Sequence, residues 1–240
     1  MDDMVTPITE GTFFRFECSP KVDCFNQCCR DLVQALTPYD VLRLRQGLGL
    51  SSGRFLEQYT RTHTGPVSGL PVVTLKPADM QTRVCPFVTP AGCRVYPHRP
   101  ASCRTYPLVR SLSRSRETGA AVESYHILRE SHCRGFAEAR ERTVRDWIDD
   151  QGLSGYNAEN DRMIEVISLK NRLRPGPLPA DTIAMLTVAL YDLDAFRGQL
   201  ADGGIPEAGA LLEAFPNALE GDDLQLLHAG LSWVRRILER

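Results

Sequence analysis

CPFVTPAGCRVYPHRPASCRTYP, residues 85–107, is the stretch on which the reading of this chain turns. Two short strand-like runs, Cys85–Val88 and Cys93–Tyr96, flank Thr89-Pro90-Ala91-Gly92, which reads as a hairpin turn. Such a hairpin brings Cys85 and Cys93 close together. Arg99-Pro100-Ala101-Ser102-Cys103 reads as a short helix beginning at Pro100. Cys103 then sits in its first turn, where the helix dipole favours a thiolate. Ordinary local geometry therefore gathers three thiols.

Upstream, Cys18, Cys24, Cys28 and Cys29 form a second group. Cys133 stands alone, and the 107 residues after it hold no cysteine. Cysteines acting only as small buried hydrophobes have no reason to bunch. Metal ligands do, because one ion must collect several thiolates within a few ångströms. A disulfide framework would need an export route. The opening MDDMVTPITEG is acidic and lacks an apolar run, so it does not read as a secretory signal, and a cytoplasmic location is expected. The longest apolar stretch, Ile183–Tyr191, is far short of the roughly 20 residues of a membrane span.

The rest of the composition is that of a globular protein: 240 residues, 24% charged, 42% hydrophobic, net charge −2. Wholesale disorder, collagen and coiled coil are excluded. Four of the eight cysteines are followed directly by arginine (Cys29-Arg30, Cys93-Arg94, Cys103-Arg104 and Cys133-Arg134). Thiolate-rich sites carry negative charge, and neighbouring guanidinium groups would offset it. Residues 1–120 carry a net +5 and residues 121–240 a net −7. Neither half has the dense basic face with stacking aromatics that marks a nucleic-acid binder, and none is expected.

The predicted organisation is α+β: a small cysteine-rich, metal-organised core with short strands and a hairpin, then a mainly helical C-terminal region. Residues 1–36 read as extended or loop. Thr37-Pro38 opens a helix that ends at Gly47–Gly49, and a second helix covers Ser52–Thr60. Val72–Leu75 is strand-like, Arg110, Arg114 and Arg116 fall in a surface loop, and Ser124–Leu128 is a strand. A helix is predicted over Phe136–Gln151, closed by Gly152. Further helices follow over Asn157–Leu173, Ala180–Leu200, Glu207–Ala214 and Asp222–Glu239, with a break at Pro175-Gly176-Pro177. These divide the chain into a metal-binding domain, 1–152, and a helical region, 153–240.

Cys18-x5-Cys24-x3-Cys28-Cys29, Cys85-Pro-Phe and CRVYPHRPASCRTYP from Cys93 together resemble the YkgJ-like cysteine-cluster family, also known by the motif CxxCxxCC. That family is described as zinc- or iron-chelating and includes a flagellin lysine N-methylase. Leu36-Thr37-Pro38-Tyr39-Asp40-Val41 sits where such proteins open a helix, and Cys133-x-Gly135 matches the family's last cysteine. The resemblance spans about residues 16–136. Its first group departs from the family spacing, with gaps of five and three in place of two and two.

The resemblance implies metal binding, and the expected ligands are Cys18, Cys24, Cys28, Cys29, Cys85, Cys93, Cys103 and Cys133. Adjacent Cys28 and Cys29 leave the backbone in different directions, which suggests two sites, or one site plus a thiol acting beside it. The gaps of seven and nine in the second group exceed those of zinc knuckles and match no ferredoxin run. All-thiolate coordination admits zinc, iron or an iron–sulfur cluster. His98 and His132 lie beside the cysteine motifs and read first as surface or packing residues. Arg99 reads as a brace on backbone carbonyls, and Tyr96 and Tyr106 as packing around the site.

Three functions follow from this reading. The first is a metal-binding protein whose helical region docks a protein partner. The second is a cluster-dependent enzyme, in analogy with the methylase; the chain lacks a Gly-x-Gly-x-x-Gly loop and a Cys-x3-Cys-x2-Cys run. The third is a metal carrier or redox sensor. Catalytic residues are not assigned, and whether there is a reaction is left open.

Overall fold

Thr37 and Asp40 show how directly the sequence writes some of its structure. The Asp40 backbone N–H donates to Thr37 Oγ1 at 3.2 Å and the Thr37 N–H to the Asp40 carboxylate at 3.0 Å, a capping box with Pro38 at the first helical position. Gly49 ends that helix in the left-handed region, at φ 64°. The computed structural model describes residues 4–30, 33–114, 117, 121–137 and 140–240.

The helices, in chain order, are α1 (Pro38–Leu48), α2 (Ser52–Tyr59), α3 (Ala101–Thr105), α4 (Val144–Asp150), α5 (Leu153–Leu173), α6 (Ala180–Tyr191), α7 (Leu193–Ala201), α8 (Ala208–Ala214) and α9 (Asp223–Glu239). The strands are β1 (Val5–Ile8), β2 (Phe13–Arg15), β3 (Ala35–Leu36), β4 (Thr60–Thr64), β5 (Pro71–Leu75), β6 (Val88–Thr89), β7 (Gly92–Cys93), β8 (Leu108–Arg114), β9 (Ala121–Leu128) and β10 (Glu141–Thr143). The strands form small antiparallel sheets in the orders β1-β9-β8, β3-β5-β4, β10-β2 and β6-β7. The α+β class and the helical C-terminal region are as expected from sequence. Among the described residues, no helix is long and apolar enough to cross a membrane.

The chain divides into two compact units, each discontinuous in sequence. The first comprises residues 1–32 and 79–157, the second 33–78 and 158–240. Segment 33–78, placed by the sequence reading with the cysteines, thus clusters with the C-terminal helices.

All eight cysteines lie in the first unit. Its core consists of Phe14, Phe16, Leu108, Tyr125, Ile127, Val144, Trp147 and Leu153. Phe16 meets Trp147, Tyr106 and Phe136 edge to face, with ring centroids 5.1–5.7 Å apart. The alternation of β2, exposed-buried-exposed, turns Phe14 inward, and the β10 pairing sets Phe14 opposite Arg142.

Two expectations fail here. The polar run with Arg110 and Arg114 is not a loop but β8, paired along its length with β9. Arg110 forms an ion pair with Glu123 across the two strands, so a charged side chain occupies an inward-leaning position at little cost. Arg116 lies outside the described residues.

The helix expected over Phe136–Gln151 starts only at Val144. A single 3-10 turn, Gly135–Ala137, and strand β10 precede it. Thr143 and Asp146 form a capping box at the true start. Thr143→Ala is therefore expected to cost about 1 kcal/mol in denaturant unfolding. Among the C-terminal helices, the stretch predicted as Ala180–Leu200 breaks at Asp192, whose side chain accepts the Ala195 N–H and starts α7.

The second unit packs α1, α2 and α6–α9 around Leu44, Phe55, Leu186, Leu190 and Phe196, all essentially buried. Gly230 lets α9 approach α6 so closely that a Cβ there would lie 2.2 Å from the Ala189 carbonyl oxygen. Arg45 is buried against Asp223 at 2.6 Å. Ser52 Oγ donates to Asp192 at 2.7 Å and accepts the Asp194 N–H at 2.8 Å. Ser52 thus pairs with Asp192 and Asp194 within the polar part of this unit's interior.

Candidate metal centre

The hairpin and short helix predicted from residues 85–107 are present. Val88 pairs with Cys93 and Thr89 with Gly92, and Gly92 takes φ 118°, a value that excludes most side chains. Buried Phe87 and Val95 anchor the two arms. The Cys85 N–H donates to the Cys29 carbonyl at 2.8 Å, tying the hairpin to the 3-10 turn Gln27–Cys29. Cys103 sits in α3, one turn past buried Arg99.

Arg99 and Arg104 hold this framework from within. The Arg99 guanidinium lies 3.7 Å from the centre of the Tyr96 ring and donates to the Tyr96 carbonyl at 2.7 Å and to the Gln151 side chain. Arg104 donates to the Arg99 carbonyl at 3.0 Å, to the Gln151 carbonyl at 2.7 Å and to the Pro97 carbonyl. Arg99 braces the turn, as expected. Arg104 spends its donors on carbonyls, so the expectation that each arginine after a cysteine offsets thiolate charge fails at this position. Arg134 contributes through its backbone instead, with its N–H donating to Cys24 Sγ at 3.1 Å.

Four cysteines from two separate stretches, Cys18, Cys24 and Cys28 in one and Cys133 in the other, line one small pocket. Phe16, Tyr106 and Gly135 form its floor, and Glu17 and His132 stand beside the thiols. It has room of about 20 Å³, enough for one water-sized occupant. Cys18 and Cys28 are exposed at its edge, while Cys24 and Cys133 are half-buried.

Electrostatically the thiols are linked through Cys28, which acts on Cys18 and on Cys29, Cys85 and Cys93. Burial pushes the Cys18 thiol up to about 11, and its like-charged neighbours are Cys28, Cys24 and Cys133. The Cys29 thiol donates to Cys28 and brings it down to about 7, which in turn holds Cys29 in its protonated form. Beyond Cys28, the thiols acting on Cys29 are Cys85 and Cys103. Cys85 is raised by burial, by Cys93 and by Cys28; Cys93 is raised by burial and by Cys28 against the lowering influence of Arg99 and Arg94. The pocket lining takes in Cys18, Cys24, Cys28 and Cys133, and the remaining thiols are Cys29, Cys85, Cys93 and Cys103, with Cys28 acting on members of both sets. They meet at the Cys28–Cys29 peptide.

The donor chemistry fits a soft or borderline divalent ion. Several thiols at close quarters cannot all ionise without a cation among them. Tyr106, on the pocket floor, is kept un-ionised first by burial and then by Cys133. Its hydroxyl is buried without a hydrogen-bond partner of good geometry. Among the described residues, no three Cys, His, Asp or Glu side chains are drawn close enough to ligate one ion as they stand.

Two neighbours of the pocket escaped the sequence reading. Glu17 adjoins Cys18. Glu130 lies 3.7 Å from His132 Nε2, and its carbonyl accepts the Cys133 N–H at 3.0 Å. Their sequence adjacency to cysteines was the available signal. His132 is on the pocket wall, whereas His98, in the 3-10 turn Tyr96–His98, is not.

A family model described as "CxxCxxCC: Putative zinc- or iron-chelating domain" matches residues 17–143. No curated protein and no solved structure matches the chain.

Proposed function

This chain belongs to the CxxCxxCC zinc- or iron-chelating family, and from that premise we propose that it holds two single ions, each through four cysteine thiolates. Cys18, Cys24, Cys28 and Cys133 form the pocket site. Cys29, Cys85, Cys93 and Cys103 form the hairpin site. The observation that carries this reading is the convergence of Cys18, Cys24, Cys28 and Cys133, from distant parts of the sequence, on one pocket.

Four thiolates are the ligand number of a closed tetrahedral ion. Bound there, zinc or ferrous iron would supply the positive charge that lets neighbouring thiols ionise together. The chain's own part is to place the sulfurs and to support them with the Arg134 N–H and the Tyr106 hydroxyl.

Elemental analysis of protein purified without oxygen, read with its visible spectrum, tests this. About two zinc or iron atoms per chain are expected, without acid-labile sulfide. Brown protein with sulfide would favour the cluster-dependent enzyme, and metal-free folded protein would remove the chelating role altogether. Because small thiolate-held folds depend on their metal, Cys93→Ser and Cys103→Ser are each expected to lower metal content and the melting temperature together. Wild-type metal content and melting in both would mean that these residues are not ligands.

A further inference from the structure

The two thiol groups are held unequally. The hairpin group sits on a paired β-turn, a helical turn and a backbone bond from Cys85 to Cys29, with Arg99 and Arg104 locking the connecting segment onto five acceptors. Phe87 and Val95 are nearly inaccessible beneath it. The pocket group is tied by the Arg134 N–H to Cys24 and the Glu17–Gly135 backbone bond, and its cysteine loop is held by shorter-range bonds. Cys18 and Cys24 are carried on a run of single turns, in which Val22 bonds back to Ser19, Phe25 to Val22 and Gln27 to Cys24. Two of its four thiols are exposed, against Cys103 alone in the hairpin group, and His132 on the pocket wall stands 3.7 Å from the Glu130 carboxylate.

We infer that the pocket site is the exchangeable one: a divalent cation held by Cys18, Cys24, Cys28 and Cys133 is cargo, taken up and released past Glu130 and His132, while the hairpin ion stays as part of the fold. The inference rests on the two-ion reading above. An ion leaving four thiolates needs ligands to step onto before the last sulfur lets go. A carboxylate and an imidazole beside exposed thiols supply that step. The transfer is ligand exchange without oxidation. Each metal–sulfur bond that breaks is matched by a bond to the acceptor, and the freed thiolates take protons from water.

The full chain loaded with zinc and mixed with excess 4-(2-pyridylazo)resorcinol provides the test. One equivalent is expected to appear faster than the other by about ten- to a hundredfold, the range over which supporting contacts alter metal retention. Quenching between the two phases with N-ethylmaleimide and mapping the label by fragment mass spectrometry should find Cys18, Cys24, Cys28 and Cys133 modified. Cys29, Cys85, Cys93 and Cys103 should be protected.

Release of two equivalents in one phase, or early labelling of the hairpin thiols, would overturn the assignment while leaving the two-ion reading intact. Fewer than two zinc atoms at the outset would instead remove that reading. Cys133→Ser should delete the fast phase and keep the slow one. The labelling pattern of the unaltered protein decides the matter even where that variant does not fold.

Discussion

Gly135→Ala is expected to destabilise the protein by about 3 kcal/mol, at the upper end of overpacking costs, and to abolish binding at the pocket site. A methyl group on Gly135 would lie 2.5 Å from the Glu17 carbonyl oxygen and 2.7 Å from the Phe16 ring. The first of these is backbone, which cannot swing aside as a flexible side chain would. The Gly135 carbonyl also accepts the Glu17 N–H at 3.1 Å, so the clash and the bond involve the same two strands of chain. Any relief moves Cys133 away from Cys18. Urea unfolding and zinc stoichiometry check both halves of the prediction. Gly155→Ala, with nothing within 4 Å of its new methyl and a position inside α5, is the control. It should be neutral or stabilising by up to about 1 kcal/mol. A Gly135→Ala protein with wild-type stability and full metal content would show that this close approach is not needed.

Phe16→Ala is expected to cost more, about 3–5 kcal/mol, because a nearly inaccessible ring would be replaced by a cavity. Phe16 touches three aromatic rings and is also part of the pocket floor. Its loss unseats Tyr106 and Phe136 together, and with them the wall that carries Cys133. Unfolding should occur at lower denaturant with little change in slope, and the fast-released zinc should be lost before the slow one. A cost below about 1 kcal/mol would mean that the site is not built on this core.

What could be seen beforehand was what is written locally. Thr37 and Asp40 are three residues apart, and their box was readable as a helix start. Thr89–Gly92 was readable as a turn because its two arms are adjacent in the chain. Arg99 was correctly read as a brace because the carbonyl it binds, on Tyr96, is three residues away. The failures have the opposite character. β10 looked like the start of a helix because its partner, β2, stands at the other end of the cysteine region. β8 looked like a loop because Arg110 reads as exposed until Glu123 is placed across from it.

The site divides along the same line. The bunching of cysteines and the Cys-x-Val-Tyr-x-x-Arg-Pro-x-x-Cys-Arg pattern announced metal. Their partition did not follow from spacing, because Cys133 and Cys18 become neighbours only through Phe16, Gly135 and Tyr106. Glu17 and Glu130 carried no motif beyond their closeness to Cys18 and Cys133 in the sequence, and the fold adds the pairing of Glu130 with His132.

The bond from the Arg134 N–H to Cys24 joins residues 110 positions apart, and it has a consequence in time. Polypeptides are synthesised at about 5–20 residues per second, so Cys24 leaves the ribosome on the order of ten seconds before the segment that completes its surroundings. The hairpin thiols Cys85, Cys93 and Cys103 emerge in between and can settle with Cys29 first. During that interval Cys18, Cys24 and Cys28 are a half-built trap, open to any passing oxidant or adventitious metal. Under the proposed two-ion arrangement, the order of the cysteines along the chain sets a schedule, in which the hairpin thiols are complete while the pocket thiols still wait for Cys133.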